Sequence, residues 1–349
     1  MLKKKKLWLS IVLSALLVTA AGCGNDTKTE SASGANTGGS ASSDQKTYTI
    51  AISQYVEHPS LDATREGFIA ALKDAGIVEG QNLKIDYNNA QADSTNNLSI
   101  AQKIASEKSD LVLAIATPSA QAVVQEVKDR PVLFAAVTDP LDAKIVDKLD
   151  KPSGNVSGAS DTNPQAITEL MDFIASNFPN VKNVGLVINE GEPNAVVMAN
   201  KAEEALSKHG IKLVKAAVTN TSEVKQAAQS LVGRVDALYI TLDNVVVSGV
   251  DSILQVANEN HLPFFSSDRD TVEKGAFATV GFKYYDHGYQ VGQMAVEILK
   301  NGKKPSDLKV TVPEKLDFIL NLKAAAAQGI EVTDAMKGLV KDQTNNIIQ

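Results

Sequence analysis

The sequence predicts an α/β protein with two doubly wound parallel-sheet lobes that are joined by a multi-strand hinge. From Tyr48 onward, short runs rich in Val and Ile alternate with longer segments of helical period. This alternation is typical of parallel strands connected by crossover helices. The series runs to Val137, is interrupted by a glycine-flanked stretch at 154–160, and starts again at Pro164. The restart predicts a second lobe of similar size.

The strands and helices of each lobe follow from these runs and from the turn residues between them. In the first lobe we expect strands at 48–53, 83–87, 110–116 and 131–137, and helices at 61–75, 97–107 and 119–128. In the second we expect strands at 183–188, 211–218, 237–241 and 263–266, and helices at 164–177, 194–208, 222–231 and 246–259.

Further segments are predicted to connect the lobes. Short strands at 154–160, 279–282 and 308–312 would cross between them, the helix at 285–299 would rejoin the first lobe, and a strand at 316–320 would close the fold. The first lobe is thereby placed at residues 47–157 and 283–312, and the second at 158–282 and 313–349. Two lobes joined by several crossings form a hinge, so we expect a ligand in the cleft between them.

The N-terminus has the layout of a secretory signal, with Lys3 to Lys6 followed by an apolar run from Leu7 to Ala21. The run is shorter than the roughly 20 residues that a membrane-spanning helix needs. It ends in Ala20-Ala21-Gly22-Cys23, which resembles a bacterial lipobox except that Ala20 replaces the usual Leu. We therefore predict a lipoprotein signal peptide at residues 1–23 with lipidated Cys23, and a flexible Ser/Gly/Thr-rich linker at 24–46. A plain signal peptide with an incidental cysteine is the alternative.

Composition argues against several classes of function. The chain has a net charge of -7 without a basic stripe, which argues against nucleic acid as a partner. Cys23 is the single cysteine, so no disulfide can form within the chain. The four histidines show no metal-binding spacing, and no nucleotide-binding glycine motif or nucleophile elbow occurs. We expect no enzyme, no cofactor and no metal site.

Polar residues concentrate in the loops that follow predicted strands, where open α/β sheets bind ligands. In the first lobe these candidates are Tyr55, His58 and Ser60 after the first strand, Thr117, Ser119 and Ala120 after the third, and Thr138 and Asp139 after the fourth. The helix start at Thr117 would offer N–H donors and hydroxyls to a carboxylate. Capping of the helices that follow is the alternative interpretation of Ser60, Thr117 and Asp139.

The corresponding loops of the second lobe carry an excess of acid. Their candidates are Asn189, Glu192, Asn194, Asp243 and Asp268. Hydrogen-bond donors on one side of a cleft and carboxylates on the other suit a zwitterion. The donors can bind the carboxylate of the ligand, and the carboxylates can bind its ammonium group. Tyr284, near the predicted hinge, could stack on a planar ligand side chain or belong to the core.

Four segments resemble the signatures of one protein family: Glu57 to Asp62, Ile115 to Gln121, Val137 to Pro140 and Gly154 to Gly158. The sequence resembles the substrate-binding lipoproteins of ABC importers, in particular those associated with tryptophan and other aromatic amino acids. The likeness extends from Tyr48 to about Gly329. It implies a type I periplasmic-binding-protein fold with three interlobe crossings, which closes on its ligand. It also implies a permease and an ATPase as partners.

Three functions are compatible with these features. The first is capture of an amino acid, in particular tryptophan or phenylalanine, and its delivery to an ABC permease by a monomeric, lipid-anchored protein on the outer face of the cell membrane. The second is binding of a sugar or nucleoside by the same fold. The third is presentation of a ligand to a membrane receptor, as a sensor.

Overall fold

The computed structural model describes residues 46–313 and 315–349. The predicted signal peptide, Cys23 and the linker up to residue 45 lie outside the described residues. From Gln45 to Gln349 the chain forms one compact unit. No helix of this described part combines the length and the apolarity that crossing a bilayer requires.

The described chain alternates strands and helices throughout. The strands are β1 Tyr48–Gln54, β2 Leu83–Asn89, β3 Leu111–Ile115, β4 Val132–Val137, β5 Val156–Ser160, β6 Asn183–Ile188, β7 Lys212–Ala217, β8 Ala237–Ile240, β9 Phe264–Ser266, β10 Ala278–Gly281, β11 Asp317–Asn321 and β12 Ile347–Ile348. The helices are α1 Pro59–Asp74, α2 Ser94–Ser106, α3 Thr117–Glu126, α4 Pro164–Asn177, α5 Pro193–Ser207, α6 Val224–Leu231, α7 Asn244–Ser248, α8 Val250–Glu259, α9 Arg269–Lys274, α10 Tyr284–Leu299, α11 Leu322–Ala327, α12 Asp334–Gly338 and α13 Gln343–Asn346.

Two sheets organise the molecule. The first has the order β2-β1-β3-β4-β5, and all its neighbouring strands are parallel. The second has the order β12-β11-β10-β9-β8-β6-β7, and only the β10–β11 pair is antiparallel. Apolar side chains from both faces of each sheet pack under the covering helices, as successive strand residues point to opposite sides. The two-sheet α/β prediction is confirmed.

Helices α1 and α10 pack with their backbones almost touching. A Cβ atom at Gly67 would overlap the carbonyl oxygen of Tyr285, and one at Gly288 would overlap that of Thr64. Gly292 similarly faces the backbone of Phe68. Glycine is needed at these positions because any side chain would force the helices apart. This contact returns α10 to the first sheet, as the sequence predicted.

Three details differ from the predicted elements. The helix expected at 246–259 is two helices, α7 and α8, because Asp243 starts a short helix earlier and the chain bends at Gly249, where a Cβ would press on Val224. The strand expected at 308–312 forms only one bridge, between Thr311 and Ala159, and Pro313 follows directly. The helix expected at 222–231 begins as a 3₁₀ turn at Thr221–Glu223.

Several short elements near the second sheet were not predicted from the sequence. Helix α9 follows β9 directly, and its N-cap is Asp268. The others are the C-terminal helices α11 to α13 and the edge strand β12. Each of them is six residues or shorter, so it shows too few turns for a helical period to stand out.

Strand β5 lies wholly in the first sheet, paired with β4 up to Ser160, beyond the lobe boundary expected at residue 157. The chain leaves this sheet at Asp161 and returns to it from the second sheet between β10 and α10. The chain passes to the second sheet once more before β11. The exact lobe boundaries stay a prediction.

Candidate ligand-binding site

Two adjoining chambers lie between the two sheets, at the carboxyl ends of their strands. They share three lining residues, Asp161, Leu242 and Tyr284, which follow β5 and β8 or begin α10. This is the place where open α/β sheets bind ligands, because loops and helix starts converge there. We call the one lined mainly by polar side chains the polar chamber and the other the apolar chamber.

The polar chamber takes side chains from both sheets. His58, Ala136 and Thr138 line it from the first sheet, and Asn194, Asn244 and Asp268 line it from the second. No lysine or arginine is among its described lining residues. Its polar surface therefore consists of carboxylates, amides, an imidazole and two hydroxyl groups.

Two buried acceptors in this chamber lack a hydrogen-bond partner among the described residues: Nδ1 of His58 and Oδ1 of Asn194. The Nε2 atom of His58 lies 3.5 Å from Oδ1 of Asn244, which can only accept, so the proton belongs on Nε2. Burial lowers the pKa of His58, against the opposing effect of the Asp268 carboxylate, and keeps the ring neutral. Buried polar atoms are rarely left unpaired, so both acceptors fit a ligand that donates hydrogen bonds.

Asp161 is the carboxylate at the junction of the two chambers. Its Oδ2 accepts from the Tyr284 hydroxyl at 3.2 Å, and its Oδ1 accepts from the Thr162 hydroxyl at 3.1 Å. Burial raises the pKa of Asp161 to about 6, since hydrogen bonds from neutral groups compensate only part of the lost hydration. An adjacent cation would stabilise its charged form.

The acids of the second-sheet loops are engaged by their own neighbours. Glu192 accepts from the backbone N–H groups of Asn244 and Val245 and from the side-chain amides of Asn194 and Asn244. Burial raises the pKa of Glu192, although these hydrogen bonds act to lower it. This carboxylate ties the loop after β6 to the start of α7 and thereby orients two chamber residues, Asn194 and Asn244.

Asp243 has a comparable role at the start of α7. It accepts from the N–H groups of Asn189 and Val246 and is the N-cap of this helix. Burial raises the pKa of Asp243 well above its usual range, and the nearby Glu192 charge adds to the effect. Neither Glu192 nor Asp243 is a lining residue of either chamber.

Asp268 links the two sides of the cleft. Its Oδ1 caps α9 through the Asp270 N–H, and its Oδ2 accepts from the Ser60 hydroxyl at 2.5 Å. Ser60 belongs to the first turn of α1, under the first sheet. The cleft is therefore closed, with one side chain from each side in direct contact.

The apolar chamber has a different lining. Its walls include Ala166, Ile167, Leu170, Met198, Val280 and Leu316. Phe282 and Tyr284 stack at one side, with their ring centroids 5.0 Å apart. The guanidinium of Arg269 also reaches this chamber but donates to Glu273, Asn346 and the carbonyl of Asn345. The chamber thus offers mainly apolar and aromatic surface.

The end of β4 is held in an unusual conformation beside the polar chamber. Ala136 has a φ of 53°, in the left-handed region, and the pairing of β4 with β5 shifts register there. The Ala136 N–H donates to Nε2 of His287, on α10, at 3.0 Å. Burial lowers the pKa of His287 to about 4, so this ring remains a neutral acceptor. Backbone strain of this kind is concentrated at functional sites.

The remaining candidate residues lie outside the chamber walls. Tyr55 donates to the carbonyl of Ala92, and burial together with Glu192 and Asp243 raises its pKa to about 12. Ser119 and Thr117 are buried behind the polar chamber: the Ser119 hydroxyl bonds with Ser53 and Asn97, and the Thr117 hydroxyl accepts from the Thr138 N–H. Ala120 is buried in the core of the first sheet, and Asn189 accepts from Gly191.

Asp139 makes the contacts of a turn residue. Its Oδ1 accepts from the N–H groups of Leu141 and Asp142, and it does not line either chamber. These contacts match the capping alternative, and a role of Asp139 in ligand binding stays a prediction.

The structure brings five of the candidate residues into the wall of the polar chamber: His58, Thr138, Asn194, Asp268 and Tyr284. Sequence reasoning missed Asp161 because residues 154–160 were interpreted as a crossover. Had β5 been treated as a member of the first sheet, the rule that ligands bind after strand ends would have pointed to this residue.

Comparison with known proteins agrees with this geometry. Residues 49–343 match the family model described as ABC transporter substrate binding protein. A tyrosine-binding protein of Clostridioides difficile is 38% identical over 348 residues, which cover 98% of each chain.

Two solved structures are also similar. A domain from Streptococcus pneumonia in complex with L-Trp is 30% identical, with a TM-score of 0.80 over 87% of this chain and all of that one. The ligand-free, open structure of a substrate-binding protein with adhesive properties from Clostridium difficile is 40% identical, with a TM-score of 0.62 over 86% of this chain and 98% of that one.

The predicted type I periplasmic-binding-protein fold is likewise confirmed by its structural relatives. The match to the family model includes strands β2 to β11 and all the residues that line the two chambers. The chain therefore belongs to the family of ABC transporter substrate-binding proteins.

Proposed function

We propose that this protein captures an amino acid with an aromatic side chain outside the cytoplasm and delivers it to the permease of an ABC importer. In this proposal it acts as a monomer, carries out no catalysis, and is held at the outer face of the membrane by a lipid on Cys23. The linker at residues 24–46 keeps it within reach of its permease.

One observation carries the choice of ligand: a chamber with hydrogen-bond acceptors and carboxylates adjoins a chamber with apolar and aromatic walls. An α-ammonium group needs acceptors and a counter-charge, whereas an aromatic ring needs apolar surface. An aromatic amino acid has both groups in the same molecule. Its ammonium group would occupy the polar chamber and its ring the apolar one.

Asp161 and Asp268 are the proposed partners of the ammonium group. Both line the polar chamber, and both are more than nine-tenths buried. Asp161 accepts only from two hydroxyls, so its charge is the less compensated of the two. The neutral acceptors His58 Nδ1 and Asn194 Oδ1 would take further ammonium hydrogens.

The ring would lie against Phe282 and Tyr284 in the apolar chamber. Their centroids are 5.0 Å apart with an interplanar angle of 41°, so they present a tilted aromatic wall. The relatives support this class of ligand, since one is named for tyrosine and another contains L-Trp.

Isothermal titration of the compact unit Gln45–Gln349 with each common amino acid tests the proposal. Tyrosine, tryptophan or phenylalanine should bind with micromolar or better affinity, and binding should raise the melting temperature by mass action. Glucose and a nucleoside serve as controls. Heat from a sugar or nucleoside, together with none from any aromatic amino acid, would refute the proposal.

The anchor is tested separately on the full-length protein in a bacterial host. Cys23→Ser should release the protein from the membrane fraction, and mass spectrometry of the membrane-bound form should find acyl chains on Cys23. Retention of the variant at the membrane would contradict the lipid anchor and leave the ligand proposal intact.

A further inference from the structure

One hydroxyl group in the lining of the apolar chamber is hydrogen-bonded to a second hydroxyl group that is buried behind the wall. Ser267, directly after β9, lines the chamber, and its Oγ lies 2.6 Å from the hydroxyl oxygen of Tyr239. Tyr239 stands in the central strand β8 and is completely buried. Ser267 is therefore the member of the pair that can meet a ligand.

The two hydroxyl groups have hydrogen-bonding capacity that the described residues do not use. Two hydroxyls bring two protons, and the bond between them uses one. Neither hydroxyl makes another hydrogen bond with the described residues. One proton and several lone pairs are therefore left for a group inside the chamber.

The chemistry of that group follows from its surroundings. It must reach Ser267 from a ring that packs against Phe282 and Tyr284, so it belongs on the aromatic side chain of the ligand. A phenol hydroxyl can accept the spare proton and also donate to a lone pair. An indole N–H can only donate, and a phenyl ring can do neither.

We propose that the Ser267–Tyr239 hydroxyl pair determines specificity in the apolar chamber and makes the protein prefer tyrosine to phenylalanine. This inference rests on the proposed function and makes it more specific. A buried hydroxyl that loses its partner weakens binding, so sites built to bond a ligand hydroxyl discriminate against analogues that lack it.

Titration calorimetry of the compact unit with tyrosine and phenylalanine tests the proposal, because these ligands differ by the hydroxyl alone. Wild-type protein should bind tyrosine about tenfold more tightly than phenylalanine. This factor corresponds to the free energy of one ordinary hydrogen bond. Ser267→Ala should weaken tyrosine binding and leave phenylalanine affinity unchanged. The ratio of tyrosine affinity to phenylalanine affinity should therefore fall to about one. Tyr239→Phe should reduce the ratio less, since the Ser267 hydroxyl remains.

Ser230→Ala is the matched control, because it removes a hydroxyl that bonds only to the Ala227 carbonyl on α6, away from both chambers. It should leave the ratio as in the wild type, and thermal melting checks that every variant is folded. Equal wild-type affinity for the two ligands, or an equal loss of both in Ser267→Ala, would overturn the inference. If neither ligand binds to wild-type protein, the proposed function itself fails.

Discussion

On the first-sheet side of the cleft, His58 and Tyr284 stand at the starts of α1 and α10, two helices whose backbones are in contact. On the second-sheet side, Asn194 and Asn244 stand in the first turns of α5 and α7, which the carboxylate of Glu192 ties together. Close helix packing positions the chamber residues on the first-sheet side. A hydrogen-bonded carboxylate positions those on the second-sheet side.

The difference teaches that an acid in a cleft loop is not by itself a ligand group. Glu192 and Asp243 accept hydrogen bonds from backbone N–H groups, including those of a neighbouring loop, whereas Asp161 accepts from hydroxyl groups. A buried carboxylate with N–H partners supports the fold, and one without them retains capacity for a cation. Four substitutions separate these roles.

The largest effect is expected from Gly288→Ala, which should break the helix packing of the first-sheet side. The new Cβ would overlap the Thr64 carbonyl, so α1 and α10 must separate, at a cost of about 4 kcal/mol in the free energy of unfolding. Denaturant titration measures it. Gly338→Ala, with open space around its Cβ, is the control and should change stability by less than about 0.5 kcal/mol. Equal stability of the two variants would contradict the role given to this packing.

Glu192→Ala should have the next largest effect, on the second-sheet side. It leaves buried donors of Asn194, Asn244 and Val245 unpaired, which should lower the free energy of unfolding by about 3 kcal/mol and weaken ligand binding. Glu190→Ala, in the exposed region of the same loop, should be neutral. A fully stable Glu192→Ala variant that has lost only ligand affinity would instead make Glu192 a ligand group.

Asp161→Asn should act in opposite directions on stability and on binding. The folded-state pKa of about 6 lies above the usual 3.8, so the folded protein holds this proton more tightly, and stability falls as pH rises from about 4 to 6. At pH 7.5 the neutral amide should therefore stabilise the ligand-free protein by about 2 kcal/mol. It should also weaken binding of an aromatic amino acid by roughly twentyfold, because the counter-charge is lost.

The pH dependence sharpens this prediction. Wild-type affinity should fall below about pH 6 as Asp161 becomes protonated, and the Asp161→Asn variant should lose that dependence. Exposed Asp150→Asn is the control and should behave like the wild type. Calorimetry between pH 5 and 8 provides the comparison. Unchanged affinity in Asp161→Asn would group Asp161 with Glu192 as a structural acid.

The smallest effect is expected at Asp139. Asp139→Ala should lower stability by about 1 kcal/mol, because the N–H groups of Leu141 and Asp142 lose their acceptor, and Asp139→Asn should restore most of it. Ligand affinity should stay within twofold in both variants. Loss of binding in both would return Asp139 to the ligand site.

Strands β1 to β11 could be predicted to within two residues at each end, because buried parallel strands are continuous apolar runs bounded by polar turns. The break between α7 and α8 could not, since it depends on how closely Val224 approaches Gly249. The sequence indicates the cleft as the binding region, but it does not indicate which side chains line the chambers. Sequence shows that Asp139 and Glu192 lie in cleft loops, but not which N–H groups they already bind.

The contact between α1 and α10 also constrains the order in which the chain can fold. Gly67 and Gly288 are far apart in the sequence, so one face of the first sheet is covered by α1 alone until α10 is available. Strands β6 to β10 and their helices, in contrast, come from one continuous stretch. Local contacts form faster than distant ones, so this stretch should gain structure first and the first sheet last.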